Sequence, residues 1–583
     1  MNHINHLLTS ITVLSTFVSQ AQESMPDLNL NVNQVGFYPQ TEKIAILSSD
    51  NPKISGKFKI ISLSDNKCVY TDRLSKSRKS PYAESFTYII DFTPLTTPGI
   101  YCISVNGRSL KKTFQIRKDA FRDIRNAALK AFYYQRASTE LQEKYAGRWK
   151  RPGGHPDSTV LVHPSASNLS RPQDSVISSP GGWYDAGDYN KYIVNSGYTV
   201  AVLMSLYEDF TTTAKSVSLN IPESGNSVPD ILDEIRWNLE WMLTMQDPSD
   251  GGVYHKLTTD SFEGFISPEN CRKTRYVVKK SVTAALQFAG SMAQASRIFA
   301  PYDNEFATEC ANAAIQAFEW AVSSPDATYR QTQINKLYEP DIRTGEYGDE
   351  NTSDEWFRAS SELYLLEKDS KYLECLKQNL PASFILPGWQ NASGLGVMTC
   401  LRHKSIFDSS VDTDFMIRQI DNFLFNNIES VEKSYYQVPF GTKENDYVWG
   451  SNSRAASLGS VMMFRYSQSG DRRLLENALR ISDYLMGRNP TGYCFITGFG
   501  EKSPKNIHHR ISACDNIAEP IPGLLVGGSN KGMEDRCNYS YDQPDLAYID
   551  IINSYASNEI AINWQANLVY LLTSITQYLQ EKE

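Results

Sequence analysis

Two periods of hydrophobicity divide this chain. From residue 28 to about residue 116 the apolar positions form short runs or alternate with polar ones, as in Lys43-Ile44-Ala45-Ile46-Leu47, Lys57-Phe58-Lys59-Ile60-Ile61, Thr87-Tyr88-Ile89-Ile90-Asp91-Phe92 and Gly99-Ile100-Tyr101-Cys102-Ile103-Ser104-Val105. Turn chemistry such as Ser49-Asp50-Asn51-Pro52 separates the runs, which predicts a small all-β sandwich. Beyond it the period becomes helical. Phe121, Ile124, Ala128 and Phe132 share one face, as do Ile231, Ile235, Leu239 and Met242. Ser227-Val228-Pro229-Asp230 reads as a capping box opening the second of these helices, with Pro in its first turn. Further helices are predicted over 281–298, 307–321, 353–367, 454–467 and 471–486. A last one starts near Ser557 with Leu568, Leu571, Leu572, Ile575 and Leu579 as its buried stripe. Many helices joined by long loops predict an all-α toroid or solenoid whose loops carry the function.

At 583 residues the chain is too long for one ordinary core, which agrees with two units. A formal charge of −9 argues against a nucleic-acid partner. The apolar stretch Leu7–Val18, followed by Ser19-Gln20-Ala21, reads as a signal peptide over 1–21. It predicts a secreted or periplasmic protein, with no cysteine after the cleavage site to carry a lipid anchor. No later stretch is long enough for a membrane span. The nine cysteines are scattered and form no CxxC pair, so neither a zinc ribbon nor a disulfide framework is indicated.

Candidate chemistry concentrates in four loop motifs. Gly181 to Tyr192 holds Asp185 and Asp188 across an Ala-Gly step, with Trp183, Tyr184, Tyr189 and Tyr192 among them. Two carboxylates so placed can hold and deprotonate a water, and aromatic rings offer flat faces to sugars. A turn would explain Gly187 but not four aromatics in twelve positions. A calcium loop would need more oxygens than two carboxylates supply. Thr497 to Arg510 ends in His508 and Arg510, either sugar ligands or a pair bracing the loop. Tyr548 to Ala561 carries Asp550 and Tyr555, with Glu559 in the first turn of the last helix. The helix dipole there would lower a carboxyl pKa, so a general acid at Glu559 requires burial or neighbouring charge to win. Tyr447-Val448-Trp449-Gly450-Ser451 is a turn suited to a sugar cleft or to a helix cap.

Together these motifs closely resemble glycoside hydrolase family 9, the inverting cellulase family. The resemblance implies a cellulase Ig-like domain over 28–116 and an (α/α)6 catalytic barrel over 119–581. It assigns Asp188 as base, Asp185 as the residue that helps hold the water and Glu559 as acid. Asp550 and His508 join them in the catalytic set. Arg510, Trp183, Tyr184, Tyr555 and Trp449 are expected to bind the sugar. Many relatives hold zinc on cysteines near the start of the catalytic domain. Gln135-Arg136-Ala137-Ser138 and Gly153-Gly154-His155 have none, so no zinc is expected. A calcium site of relatives maps onto Tyr347 to Glu355, with Asp354 and Glu355 as candidate ligands for a structural ion. No cofactor is needed for the chemistry.

The expected activity is hydrolysis of β-1,4-glucosidic bonds in β-glucans or their oligosaccharides. A rival keeps the chemistry but makes the enzyme an exo-acting β-glucosaminidase on chitosan oligosaccharides, with 151–180 as a loop closing one end of the cleft. A non-catalytic sugar-binding module would have no use for a proton donor.

Overall fold

The computed structural model describes residues 28–105 and 110–579. The signal peptide expected over 1–21 and positions 580–581 of the expected barrel lie outside the described residues. Strands pair antiparallel in two four-stranded sheets, as the alternation predicts. One runs Asn29–Asn31, Ile44–Ser49, Phe86–Asp91, Arg78–Lys79, and the other Cys68–Arg73, Lys57–Ser62, Gly99–Val105, Lys111–Ile116. On Lys57–Ser62 the lysines point out while Phe58 and Ile60 point in. There they meet Tyr88, Ile90 and Phe114 from the other strands and Phe92 just beyond one. Cys68–Arg73 has no alternation to read, because it is an almost fully exposed edge strand.

Among the described residues twelve helices of nine or more residues follow, alternating in burial along the chain. Ile193–Asp209, Val282–Phe299, Ser353–Glu367, Ser393–Arg402, Ser451–Ser469 and Ile562–Leu579 are buried on most sides. Asn304–Ser323, Ser370–Gln378 and Thr413–Glu429 bury one face only, and Arg122–Tyr134, Asp230–Thr244 and Arg472–Leu485 keep a narrower exposed side. The first set forms the inner ring, in which Ile193–Asp209 packs on Val282–Phe299 and Ile562–Leu579 returns to close against Ile193–Asp209. A helix walled in by neighbours cannot carry a charged face. Runs such as Ala284-Ala285-Leu286 and Ala455-Ala456 serve that need. The architecture is an (α/α)6 barrel. No helix among the described residues is long and apolar enough to cross a membrane.

Two local expectations are corrected. The Asp230–Thr244 helix is capped by Pro229 without a side-chain bond, and Asp230 turns back to accept from Leu219 N–H and the Ser224 hydroxyl. The final helix is broken. Tyr555–Asn558 is a separate turn, Glu559 is extended at φ −76°, ψ 161°, and the long helix starts at Ile562. Neighbouring segments cause the break: His508 N–H donates to Asn558 O and Gly527 N–H to Glu559 O, taking carbonyls a continuous helix would use.

Loops between the helices add a small five-stranded sheet, ordered Val176–Ile177, Val160–Val162, Tyr276–Val277, Lys256–Thr258, Lys191–Tyr192. Its edge strand Lys191–Tyr192 carries the paired-aspartate motif directly into the Ile193–Asp209 inner helix.

Candidate active site

Three motifs far apart in sequence meet at Gly187. Its N–H donates to Glu559 Oε1 at 3.3 Å, and its carbonyl accepts from Arg510 N–H at 3.1 Å and Arg510 Nη1 at 2.8 Å. A Cβ at this position would lie 2.1 Å from the His508 carbonyl oxygen. Only glycine permits that approach.

The two aspartates on either side of Gly187 are held differently. Asp185 Oδ1 accepts from Asn195 Nδ2 and its Oδ2 from the Tyr347 hydroxyl, both at 2.7 Å. Asp188 uses one oxygen, Oδ2, for Asn190 Nδ2 at 2.6 Å and the Tyr192 hydroxyl at 3.2 Å. Its Oδ1 has no protein partner among the described residues. Burial, and secondarily the charge of Asp188, push the Asp185 carboxyl up to about 8 against the pull of Asn195 and Tyr347. The pair resists carrying two charges. Tyr192 also accepts from Gly345 N–H, and the Tyr192 and Tyr347 rings lie 4.8 Å apart, so one segment steadies both aspartates.

Glu559 is partly buried at the junction of these loops. Desolvation, followed by the charge of Asp188, raises its pKa well above the usual carboxylate range, and Arg510 offsets this only in part. The dipole argument fails because Glu559 sits outside any helix. His508 bridges alongside it and gives Nδ1 to the Ile552 carbonyl at 2.7 Å, which makes Nδ1 the protonated nitrogen and leaves Nε2 an acceptor. Burial lowers the His508 pKa, keeping the ring neutral.

Several predicted residues have other work. Asp550 accepts from Lys505 and Asn506 N–H at 2.8 Å each and from Asn558 Nδ2 at 3.1 Å, bracing the histidine loop against the turn before Glu559. Arg510 points its guanidinium at the carbonyls of Gly187 and Glu263, an anchor of loops. Trp183 is fully buried on Phe132 with its indole N–H on Glu234 Oε1, and Tyr184 is fully buried with its hydroxyl on His155. Neither can meet a sugar, since both turn toward the core while the aspartates take the cleft. Trp449, by contrast, is 44% exposed and packs at a tilt against Tyr555, 5.3 Å away, which lies 6.0 Å from His508. Tyr192, Tyr347 and Trp389 belong to the site and were missed as site residues. Tyr192 closed the aspartate run and Tyr347 opened the calcium run, but Trp389 carries no local signal.

The stretch from Gln135 to Ser138 is tied into a hydrogen-bonded lattice. Gln135 ties His509 to the carbonyls of Tyr184 and Ala186, and Arg136 pairs with Glu223 and Glu234. At the candidate calcium locus, Asp349, Asp354 and Glu355 bring carboxylate oxygens within 4.8 Å of one another. Both oxygens of Glu355 and one of Asp354 are buried without partners, and burial raises the Glu355 and Asp354 pKa values. Orphaned buried carboxylates of this kind fit a hard dication.

Comparison with known proteins agrees with this geometry. The family model for glycosyl hydrolase family 9 matches residues 121–572, and that for the cellulase N-terminal ig-like domain matches 26–109. A xyloglucan-specific endo-beta-1,4-glucanase of Bacteroides ovatus is 44% identical over 557 residues, covering 94% of each chain. Endoglucanase D of Acetivibrio thermocellus is 30% identical, covering 95% of this chain and 84% of its own. Among solved structures, a Bacteroides ovatus family member superposes with a TM-score of 0.89 at 43% identity, covering 94% of this chain and 99% of that one. A thermostable endoglucanase variant of Alicyclobacillus acidocaldarius superposes at 0.83 with 29% identity and the same coverage.

Proposed function

The chain belongs to glycosyl hydrolase family 9, and from that premise we propose that it cleaves internal β-1,4-glucosidic bonds of a β-glucan backbone in one inverting displacement. Hydrolysis of β-glucans follows from membership and from its relatives. The residue roles, endo action, stereochemistry and preferred polymer are our reading.

Asp188 Oδ1 takes the proton of a water that Asp185, fixed by Asn195 and Tyr347, orients. Glu559 gives its proton to the departing oxygen. The observation that carries this is the placement of Glu559: its Oε1 accepts from Gly187 N–H on the turn bearing both aspartates, where burial raises its pKa. His508 Nε2 is left to accept from a sugar hydroxyl. NMR of the first-formed product from a β-linked substrate tests the mechanism. An α-anomer is expected, and an initial β-anomer would overturn it.

Endo action is supported by a cavity of about 690 Å³ lined by Trp389, Trp449, Trp564, Phe423 and Asn563, which reaches Asp185 through the Trp389–Tyr347 contact and has room for several units. In the loop invoked for exo action, Asn168 and Arg171 bind Asp247 and Tyr254, while Asp157 pairs with Lys191 and His155 with Tyr184 in the aspartate run. Xyloglucan is the polymer we infer first, from near-full-length likeness to an enzyme specific for it. Product sizing on xyloglucan, cello-oligosaccharides and chitosan oligomers decides: mid-chain fragments from glucans are expected, and release of single glucosamine units would overturn the reading. Asp349, Asp354 and Glu355 would hold a structural calcium. We place the enzyme's action outside the cytoplasm, on the strength of the leader over 1–21.

A further inference from the structure

We propose that Phe262 and Phe265 form the platform for the leaving-group side of the substrate, with Arg510 as the clamp that positions them. The inference rests on the hydrolase reading above. In an in-line displacement, water and leaving oxygen stand on opposite sides of the anomeric carbon. Side chains grouped around the base therefore flank the sugar being attacked, and those grouped around the acid flank the sugar that departs. On the base side, Asp185 leads through Tyr347 to Trp389, whose ring lies 4.8 Å from the Tyr347 ring. On the acid side, His508 runs beside Glu559 and meets Phe265 edge-on at 5.4 Å. The Arg510 guanidinium lies 5.6 Å from the Phe262 ring and 5.4 Å from that of Phe265.

Phe262, Phe265 and Ile266 are 44%, 39% and 40% exposed. A single exposed apolar side chain is ordinary, but three within five positions beside the reacting groups make a patch. The loop beneath them is held from several directions. Arg510 Nε donates to Glu263 O at 2.8 Å, the Tyr189 hydroxyl to Ile266 O at 2.8 Å, and Lys273 Nζ to Ser261 O at 3.1 Å. Holding two phenyl rings toward water in a braced loop does nothing for the core, whereas it pre-organises a surface for a flat apolar face. Arg510 binds the loop and Gly187 with one guanidinium, so the platform keeps register with the aspartates. Phe265 thus continues the aromatic surface from His508 on the acid's side of the reacting carbon, 5.4 Å away. Phenylalanine has no polar handle. The platform reads the face of a sugar and not its hydroxyls, which leaves substituents on the departing chain free.

The test uses the full chain and cellohexaose labelled at the reducing end, comparing wild type with Phe265→Ala, Phe262→Ala/Phe265→Ala and Phe265→Trp. The double variant should lose about tenfold in kcat/KM, the scale of one good aromatic stacking contact. Its cleavages should shift toward bonds with fewer units on the departing side, and Phe265→Trp should restore the wild-type pattern. β-Cellobiosyl fluoride, whose leaving group is not a sugar, should be turned over at the wild-type rate by all three. An unchanged rate and cleavage map in the double variant would overturn the proposal, and so would an equal loss on the fluoride. Wild-type inactivity on every β-1,4-glucan would instead bring down the hydrolase reading itself.

Discussion

Gly187 is the residue at which the site is most easily broken. A methyl group there meets the His508 carbonyl at 2.1 Å, so Gly187→Ala must push the histidine loop away from the aspartate turn. We expect turnover to fall on the order of a hundredfold, since misplacement of about 1 Å has that effect. Full kcat in a folded Gly187→Ala protein would remove Gly187 from its role. Asp188→Ala and Glu559→Ala should each lose about 10²- to 10⁴-fold in kcat on unactivated glucans while keeping the wild-type melting profile. The acid must be protonated to act, so activity falls as pH rises through the raised Glu559 pKa. Glu559→Gln, assayed on an aryl glycoside with a good leaving group, should therefore lose that alkaline limb. A limb that persists would assign it to another group. Trp183 behaves oppositely: Trp183→Ala should destabilise the fold by about 3–5 kcal/mol with KM unchanged in the folded fraction, read by denaturant titration. Residue type made Trp183 and Tyr184 look like sugar contacts. Which way each side chain turns is a property of the folded loop.

At the scale of elements, the Ser353–Glu367 helix begins with Asp354 and Glu355, facing Asp349 across its first turn. Three carboxylates there repel one another unless a cation sits among them. Calcium at a hundred times its Kd should stabilise the protein by about 2.7 kcal/mol, visible as a raised melting temperature that a chelator reverses. Asp354→Asn should blunt the response, and a melting curve indifferent to calcium would exclude the site. The break at Glu559 is an element-scale fact the helical period concealed. The stretch from Ser557 to Leu579 reads as one helix, and only the His508 and Gly527 partners pull the backbone of Asn558 and Glu559 out of it.

Over the whole molecule, the sandwich is bound to the barrel where the histidine loop begins. Arg480 pairs bidentately with Glu42, Asn33 donates to Asp483, and Gln34 and Thr113 hold Lys502 N–H and Glu501. Removing residues 28–116 should lower the melting temperature and impair activity through the 497–510 loop. A barrel equally stable and active alone would show that the contacts are incidental. The segment carries no tryptophan, and its aromatics Phe58, Tyr88, Phe92 and Phe114 are inside it. The full chain should therefore owe no retention on insoluble cellulose to this domain.

Much of this is legible in the sequence, because period and motif are local. Alternation marked four strands, and the 3.6-residue period marked the long helices. Asp185, Asp188, Glu559, His508 and Arg510 stood out by type and spacing. Trp389, Phe262 and Phe265 had no such signal, since their meaning comes from distance to groups over a hundred positions away. The same holds for the raised pKa of Glu559, which sequence placed in a helix dipole and folding placed in a partly buried junction beside Asp188. Sequence determined which chemistry the chain carries, because residue type sets what a side chain can donate, accept or stack. Tertiary structure decided which of those side chains reach the cleft and in what charge state, because burial and proximity exist only once the loops have met.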